Sequence, residues 1–212
     1  IYLEKSYYIA TSGRPGPVLL DIPMDLQRKK INPSLLKPFK PKIEKKNKLK
    51  KTINFVFNKL NNSKRPVIIL GGGIKYARAE KKLNKFLTKL NIPVVSTWSG
   101  VDLIDHSKNK YIGNIGVYGS RAANFTVQNS DLILSLGSRL DTRTTGGVPR
   151  NFARKAKKIM VDIDKHELNK KRGLEIDHKI REDVGSFLNE FNRYSTKKIS
   201  KQNWLNKFFL EK

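Results

Sequence analysis

The segment LGSRLDTRTTGG (136–147) carries the densest set of groups able to hold a ligand. Arg139 and Arg143 stand four apart with Asp141 between them, and Gly137, Gly146 and Gly147 lie close by. A guanidinium offers a planar fork of donors to phosphate or carboxylate, and glycine lets a backbone approach a ligand closely. The segment follows the apolar run DLILSL (131–136). A buried strand thus opens onto small and charged residues, as parallel α/β sheets do where they build ligand sites at the strands' carboxyl ends. A solvated basic loop after a strand has the same composition, and spacing alone leaves both readings open.

Three other apolar runs end the same way. RPVIILGGG (65–73) closes on Gly71, Gly72 and Gly73, IPVVST (92–97) runs into Thr97, Trp98, Ser99 and Gly100, and KKIMVDID (157–164) ends on Asp162 and Asp164. Glycines admit a pyrophosphate and a strand-end carboxylate accepts hydrogen bonds from ribose hydroxyls, so a dinucleotide lying across several strand ends would use them all. The triplet is not a GxGxxG fingerprint, because Tyr76 stands in the place of the last glycine, and no GxxxxGK[ST] loop occurs. A P-loop NTPase is therefore disfavoured. The chain has no cysteine, which excludes disulfides, thiolate zinc sites and a cysteine nucleophile. His106, His166 and His178 have no ligand spacing, so no metal site is expected.

The elements that would position these groups follow from periodicity. A helix is expected over 1–11, stopped by SGRPGP (12–17), with a short buried strand VLLDIP (18–23) after it. Residues 24–48, rich in lysine, proline and asparagine, read as a linker. Leu49, Ile53, Val56, Phe57 and Leu60 then define one face of an amphipathic helix. Further helices are expected over about 77–90, 120–128 and 183–191, and a last strand over 176–180. Strands alternating with helices predict an α/β fold, a parallel sheet with helices on both faces. The expected organisation is 1–27 as the end of one domain, 28–48 as linker, 49–192 as a nucleotide-binding domain, and 193–212 as a second linker.

Composition narrows the functional classes. Of 212 residues, 38% are hydrophobic, concentrated in short blocks. No apolar run reaches the roughly 18 residues needed to span a bilayer, so no membrane partner is expected. The net charge of +26 would attract polyanions. Its densest run, 37–51, has eight lysines and one glutamate but only Phe39 as an aromatic, unlike a platform for single strands. No specific nucleic acid is expected.

SGRPGPVLLDIPMDLQ (12–27), RPVIILGGG, IPVVSTWSG, NIGVYGSRAANFTVQNSDLILSLGSRLDTRTTGG (114–147) and KIMVDID (158–164) together resemble thiamine-diphosphate enzymes of the acetolactate synthase type. The first segment resembles the close of their pyrimidine-binding domain and the rest, in order, their central domain. The resemblance implies a full-length enzyme that decarboxylates pyruvate or another 2-keto acid and ligates the product to a second carbonyl, using thiamine diphosphate and Mg2+. This chain would be a fragment of it, unable to catalyse alone. The resemblance further implies FAD in the central domain, with no net redox change. Carried over motif by motif, the flavin site would comprise Arg14, Gly72, Gly73, Thr97, Trp98, Ser99, Ile115, Gly116, Val117, Tyr118, Gly137, Ser138, Arg139, Asp141 and Arg143. Asp162, Ile163, Asp183 and Val184 would lie near the adenosine half. Arg143 would hold the carboxylate of the second keto acid, unless it simply pairs with Asp141 or a phosphate. The family's LGMHG reads IGVYG here and its RFDDR reads RLDTR. These departures leave FAD, an ADP-like nucleotide and an empty structural domain as alternatives. The resemblance also implies small 2-keto acids as partners, a homodimer or homotetramer, a regulatory subunit as a further partner, and a cytoplasmic location. A sirtuin-like NAD site would want a catalytic histidine motif and a zinc-binding cysteine set, both absent from the sequence.

Overall fold

The computed structural model describes residues 1–41, 49–108, 110–194 and 197–208. Most of the lysine run, 42–48, and the end of the tail, 209–212, lie outside the described residues. The chain divides into two compact units, Ile1–Asn47 and Lys48–Lys212.

In the first unit, α1 (Tyr2–Thr11) is followed by α2 (Met24–Gln27) and a 3-10 turn at Pro33–Leu35 whose N-cap is Asn32. Part of the stretch read as a linker folds back on α1: the Phe39 N–H donates to Glu4 Oε2 at 2.7 Å, and the Phe39 and Tyr8 ring centroids lie 5.5 Å apart. The strand expected at 18–23 is not formed. Those residues are irregular, and Leu19 is 88% exposed. A strand needs a neighbour to satisfy its N–H and C=O groups, and none pairs with it among the described residues.

The second unit is a doubly wound sheet. In chain order its elements are α3 (Lys50–Asn62), β1 (Pro66–Leu70), α4 (Gly73–Tyr76), α5 (Glu80–Thr88), β2 (Leu90–Asn91), β3 (Val94–Ser96), β4 (Tyr111–Asn114), α6 (Arg121–Gln128), β5 (Leu132–Leu136), α7 (Thr142–Thr145), β6 (Lys157–Asp162), α8 (Lys165–Asn169), β7 (His178–Arg181), α9 (Val184–Tyr194), β8 (Ile199–Ser200) and α10 (Gln202–Asn206). The main sheet is parallel, with order β4-β3-β1-β5-β6-β7. Chain direction across the sheet therefore reverses between β1 and β5, and at such a switch point the loops after neighbouring strands diverge to leave a crevice.

Burial explains the strands. PVIIL in β1 and LILSL in β5 are buried at every position, as expected for strands covered on both faces. Ile68, Leu70, Leu134, Leu136, Ile159 and Val161 face a core shared with α3, α5 and α9. Val67, Ile69, Val95 and Ile133 face the other core, with Ala123 and Val127 of α6, Phe152 and Trp204. Helix α9 packs through Val184, Phe187, Leu188 and Phe191, spaced i, i+3, i+4 and i+7. Phe86 and Phe191 meet edge to face, 4.7 Å between centroids.

Two expectations change. The helix expected over 77–90 is shorter, α5 at Glu80–Thr88: a separate turn, α4, ends at Tyr76, Arg78 adopts φ +48 between the two, and Leu90 passes into β2. The described part of the tail read as a linker, 197–208, is packed. β8 pairs in parallel with β2, Ile199 joins the first core, and Trp204 joins the second at 6% exposure. Apolar residues set in a lysine-rich tail can bury only by docking on the sheet's two faces, which the polar average concealed. Strand β4 was not foreseen either. It is an edge strand with a bulge against β3 and with Gly113 at φ +134, so its pattern is broken.

Candidate functional site at the carboxyl edge of the sheet

A parallel sheet sends all six strand ends to one edge, and the residues of the second unit singled out above lie in or beside the loops that follow them. The loops after β1 and β5 meet at the switch point. Gly71 N–H donates to Leu136 O and Gly73 N–H to Gly137 O, each at 2.9 Å. A Cβ on Gly71 would lie 2.3 Å from Gly137 O, so glycine is required there by chain against chain rather than by a ligand. After β3, Thr97 is tied to β1: its N–H and hydroxyl both donate to Leu70 O, at 2.8 and 3.3 Å. Ser99 Oγ lies 3.3 Å from Thr97 Oγ1 and beside Gly72, where a Cβ would meet it at 2.9 Å.

The loop after β4 is held from both sides. Gly116, at φ +104, gives its N–H to Asn124 Oδ1 and receives Asn124 Nδ2 on its carbonyl, both at 2.9 Å. The next N–H, of Val117, donates to Arg143 O at 2.9 Å. Trp98 and Tyr118 are 62% and 76% exposed, with ring centroids 5.3 Å apart. Two large rings in contact with each other and open to solvent form an apolar wall at the rim.

Asp141 organises the basic arm. Its carboxylate accepts from the N–H and hydroxyl of Thr144, at 3.1 and 3.0 Å, capping α7, and lies 3.4 Å from Arg139 Nη2. Partial burial opposes its charge, but the Thr144 bonds and the Arg139 guanidinium outweigh that and hold the carboxyl below its ordinary value of 3.8. Arg143 is exposed and has no side-chain partner among the described residues. The ion pair with Asp141 that offered a plain alternative for Arg143 is made by Arg139 instead.

At the other end of the rim, Glu182 N–H donates to Asp162 O at 3.1 Å, while the Asp162 carboxylate accepts from Asp164 N–H at 2.8 Å. Asp183 Oδ1 accepts from Ser186 N–H at 2.8 Å, an N-cap interaction at the start of α9. Ile163 is half-buried. The side chains of Ile115 and Val184 are core residues at 5% exposure, so only their backbone faces the rim. Arg14 is exposed in the first unit. Two residues were missed: Asn124, whose amide clamps Gly116, and Arg172, whose guanidinium donates to Arg139 O. Asn124 stands within the 114–147 segment and Arg172 outside every quoted motif, but neither shows its role in sequence, because each acts on backbone brought near only by folding.

The lysine excess has a structural use. Lys89, Lys110 and Lys201 donate to main-chain carbonyls of Asn192, Leu87 and Asn61, which lie in the last turns of α9, α5 and α3. A cation there meets the negative end of the helix. A recess of about 350 Å³ at the opposite, amino edge of the sheet is lined in part by Lys89, Lys110 and Lys198. Two of those amines are already committed to carbonyls, so it offers an anion little. Among the described residues no cluster of His, Cys, Asp or Glu is arranged to hold a metal, and no helix is long and apolar enough to cross a membrane.

Comparison with known proteins decides the family. The model of the thiamine pyrophosphate enzyme central domain matches residues 53–191. The chain belongs to that family. It is 34% identical over 171 residues to the acetolactate synthase isozyme 2 large subunit of Escherichia coli (strain K12), covering 80% of this chain and 30% of that protein. It is 37% identical over 172 residues to the acetolactate synthase large subunit of Lactococcus lactis, covering 79% and 29%. With the probable acetolactate synthase large subunit of Methanococcus aeolicus it shares 34% identity over 212 residues, covering 94% and 34%. The chain thus spans about a third of the length of these relatives. The match to a central domain agrees with the parallel sheet and its two helical layers.

Proposed function

We propose that this chain is the central portion of an acetolactate-synthase-like enzyme and that its carboxyl rim binds FAD. The carrying observation is the convergence of the strand ends: Gly72 and Gly73, Gly137 and Ser138, and Gly116 come from three strands onto one edge, flanked by Arg139 and Arg143. The N–H groups of Gly72, Ser138 and Arg139 have no acceptor among the described residues, which suits a pyrophosphate. The exposed Trp98–Tyr118 wall suits a planar ring system. The carboxylates of Asp162 and Asp183, at the far end, suit a ribose. This donor and acceptor set fits a long dinucleotide better than a small anion.

In the whole protein, thiamine diphosphate would supply the electron sink for decarboxylating a 2-keto acid and joining the product to a second carbonyl. The relatives' names support that activity. This chain's own part would be to hold FAD and to present Arg143, whose unpaired guanidinium suits a substrate carboxylate. A second reading, a central domain without nucleotide, is favoured by the Gly73–Gly137 hydrogen bond, which closes the crevice at backbone level. Titrating the chain with FAD and then gel-filtering it separates the two. Flavin that co-elutes and is displaced by unlabelled FAD but not by riboflavin supports the first. Protein that elutes colourless at saturating FAD overturns it.

A further inference from the structure

We infer that Arg172 is a positioning residue that sets the Arg139 arm for its ligand by holding the Arg139 carbonyl. The inference rests on the reading of the rim as a dinucleotide site. Arg172 lies in the crossover between β6 and β7, just after α8. Its Nη1 donates to Arg139 O, and its Nη2 donates to Glu167 O and lies 3.2 Å from Glu167 Oε2. The two side chains are only 12% and 11% exposed.

Two observations say that this arrangement serves geometry more than stability. A desolvated ion pair returns little net stability, since the cost of removing both charges from water offsets their attraction. The residue after the clamped carbonyl, Leu140, is also a buried non-glycine residue at φ +48. Such a conformation persists only where the surroundings over-determine it. From Leu140 the chain runs directly into Asp141, whose carboxylate caps α7, and Arg143 O then receives the Val117 N–H. The guanidinium of Arg172 is thus the first link of a chain joining the ends of β6, β5 and β4. A lysine keeps the charge but lacks the planar guanidinium whose two terminal nitrogens reach the two carbonyls separately.

A double-mutant cycle with the full 212-residue chain tests the inference. FAD affinity is measured for wild type, Arg172→Lys, Arg139→Ala and the double variant. Arg172→Lys is expected to weaken FAD about tenfold, the size of one charge-assisted hydrogen bond. If Arg172 acts through Arg139, that penalty shrinks to under about twofold in the Arg139→Ala background. Equal penalties in both backgrounds overturn the inference and make Arg172 a general structural residue. Glu167→Gln, which spares the guanidinium, is expected to give a smaller loss with the same coupling.

Hydrogen exchange supplies a readout independent of the cofactor. The Leu140, Thr144 and Thr145 amides are expected to exchange faster in Arg172→Lys while the amides of β1 and β6 stay protected. If wild type retains no FAD, the dinucleotide reading fails, and exchange alone then decides the clamp. Unchanged exchange at those three amides overturns it.

Discussion

Replacing Gly116 by alanine tests whether the rim is built by backbone contact. Two costs follow from the structure. Gly116 sits at φ +104, a region that side chains rarely adopt, and its Cβ would lie 2.3 Å from Arg143 O, which is backbone and can yield only by moving α7. Conformational strain of this kind costs about 1–3 kcal/mol. Forcing an atom into a packed site costs about 1–3 kcal/mol more. The sum, about 2–6 kcal/mol, is large against the stability of a single domain. Two glycines of the adjacent loop separate the terms. Gly146 shares the positive φ, at +86, but has nothing within 4 Å of its Cβ, so Gly146→Ala carries the strain alone. Gly147 has open space and no positive φ, so Gly147→Ala should fall within about 1 kcal/mol of wild type. Urea unfolding followed by tryptophan fluorescence is suited to the comparison, because both tryptophans, Trp98 and Trp204, lie in the second unit. The expected order of destabilisation is Gly116, then Gly146, then Gly147. If Gly116→Ala costs no more than Gly146→Ala, the close approach of the β4 and β5 loops is not a feature of the folded protein.

Asp141→Ala removes the cap of α7 and should cost about 1–2 kcal/mol near neutral pH. Because the folded carboxyl is held below 3.8, its stabilisation is present above that value and lost as pH falls through the depressed one, so the variant should show a shallower acid-side loss in pH-dependent denaturation. Lys158 is 7% exposed and donates to Ala153 O and Ala156 O, and burial lowers its amine below 10.5. The unfolded chain then holds that proton more firmly, so stability gains a rising contribution as pH climbs toward 10.5, and denaturation of Lys158→Met should lack it. Phe191→Ala, at the junction of α9 with α3 and α5, should cost about 3–5 kcal/mol in the same unfolding assay. Trp204→Ala should free the tail from the second core, and limited proteolysis after Tyr194 should quicken while the sheet survives.

The parts of this structure legible in the sequence are those fixed by local chemistry. β1, β5 and β6 announce themselves as short, mostly apolar runs ending in glycine or aspartate, because a strand covered on both faces favours apolar side chains. The face of α3 is legible from the 3.6-residue spacing of Leu49, Ile53, Val56 and Leu60. What failed was each element whose reason lies elsewhere in the chain. Residues 18–23 are apolar enough for a strand, yet apolarity does not make a ladder without a partner. β4 is short and bulged, and its alternation is broken at Gly113. Trp204 and Ile199 looked like scattered apolar residues in a basic tail, because the surface that receives them is assembled from α6, β2 and the 152–156 turn.

The same division runs through the site. The motifs mark strand ends, and a parallel sheet brings strand ends to one edge. They could not say why the glycines are there. A Cβ on Gly71, Gly73 or Gly116 would lie 2.3–2.8 Å from other backbone, so their lack of side chains is already required before any ligand arrives. Glycine at these positions is therefore weak support for a nucleotide. The stronger support is what the close packing leaves over: N–H groups at Gly72, Ser138 and Arg139 and the guanidinium of Arg143, all without partners among the described residues, and two rings turned to solvent. A rim that spends its glycines on itself and keeps its donors free is organised before its ligand binds, so little ordering cost remains for binding to meet. FAD is therefore expected to slow exchange at the unbonded amides of Gly72, Ser138 and Arg139 and to change little at Gly71, Gly73, Gly116 and Val117, whose amides are already hydrogen-bonded, and hydrogen exchange with and without FAD distinguishes the two sets.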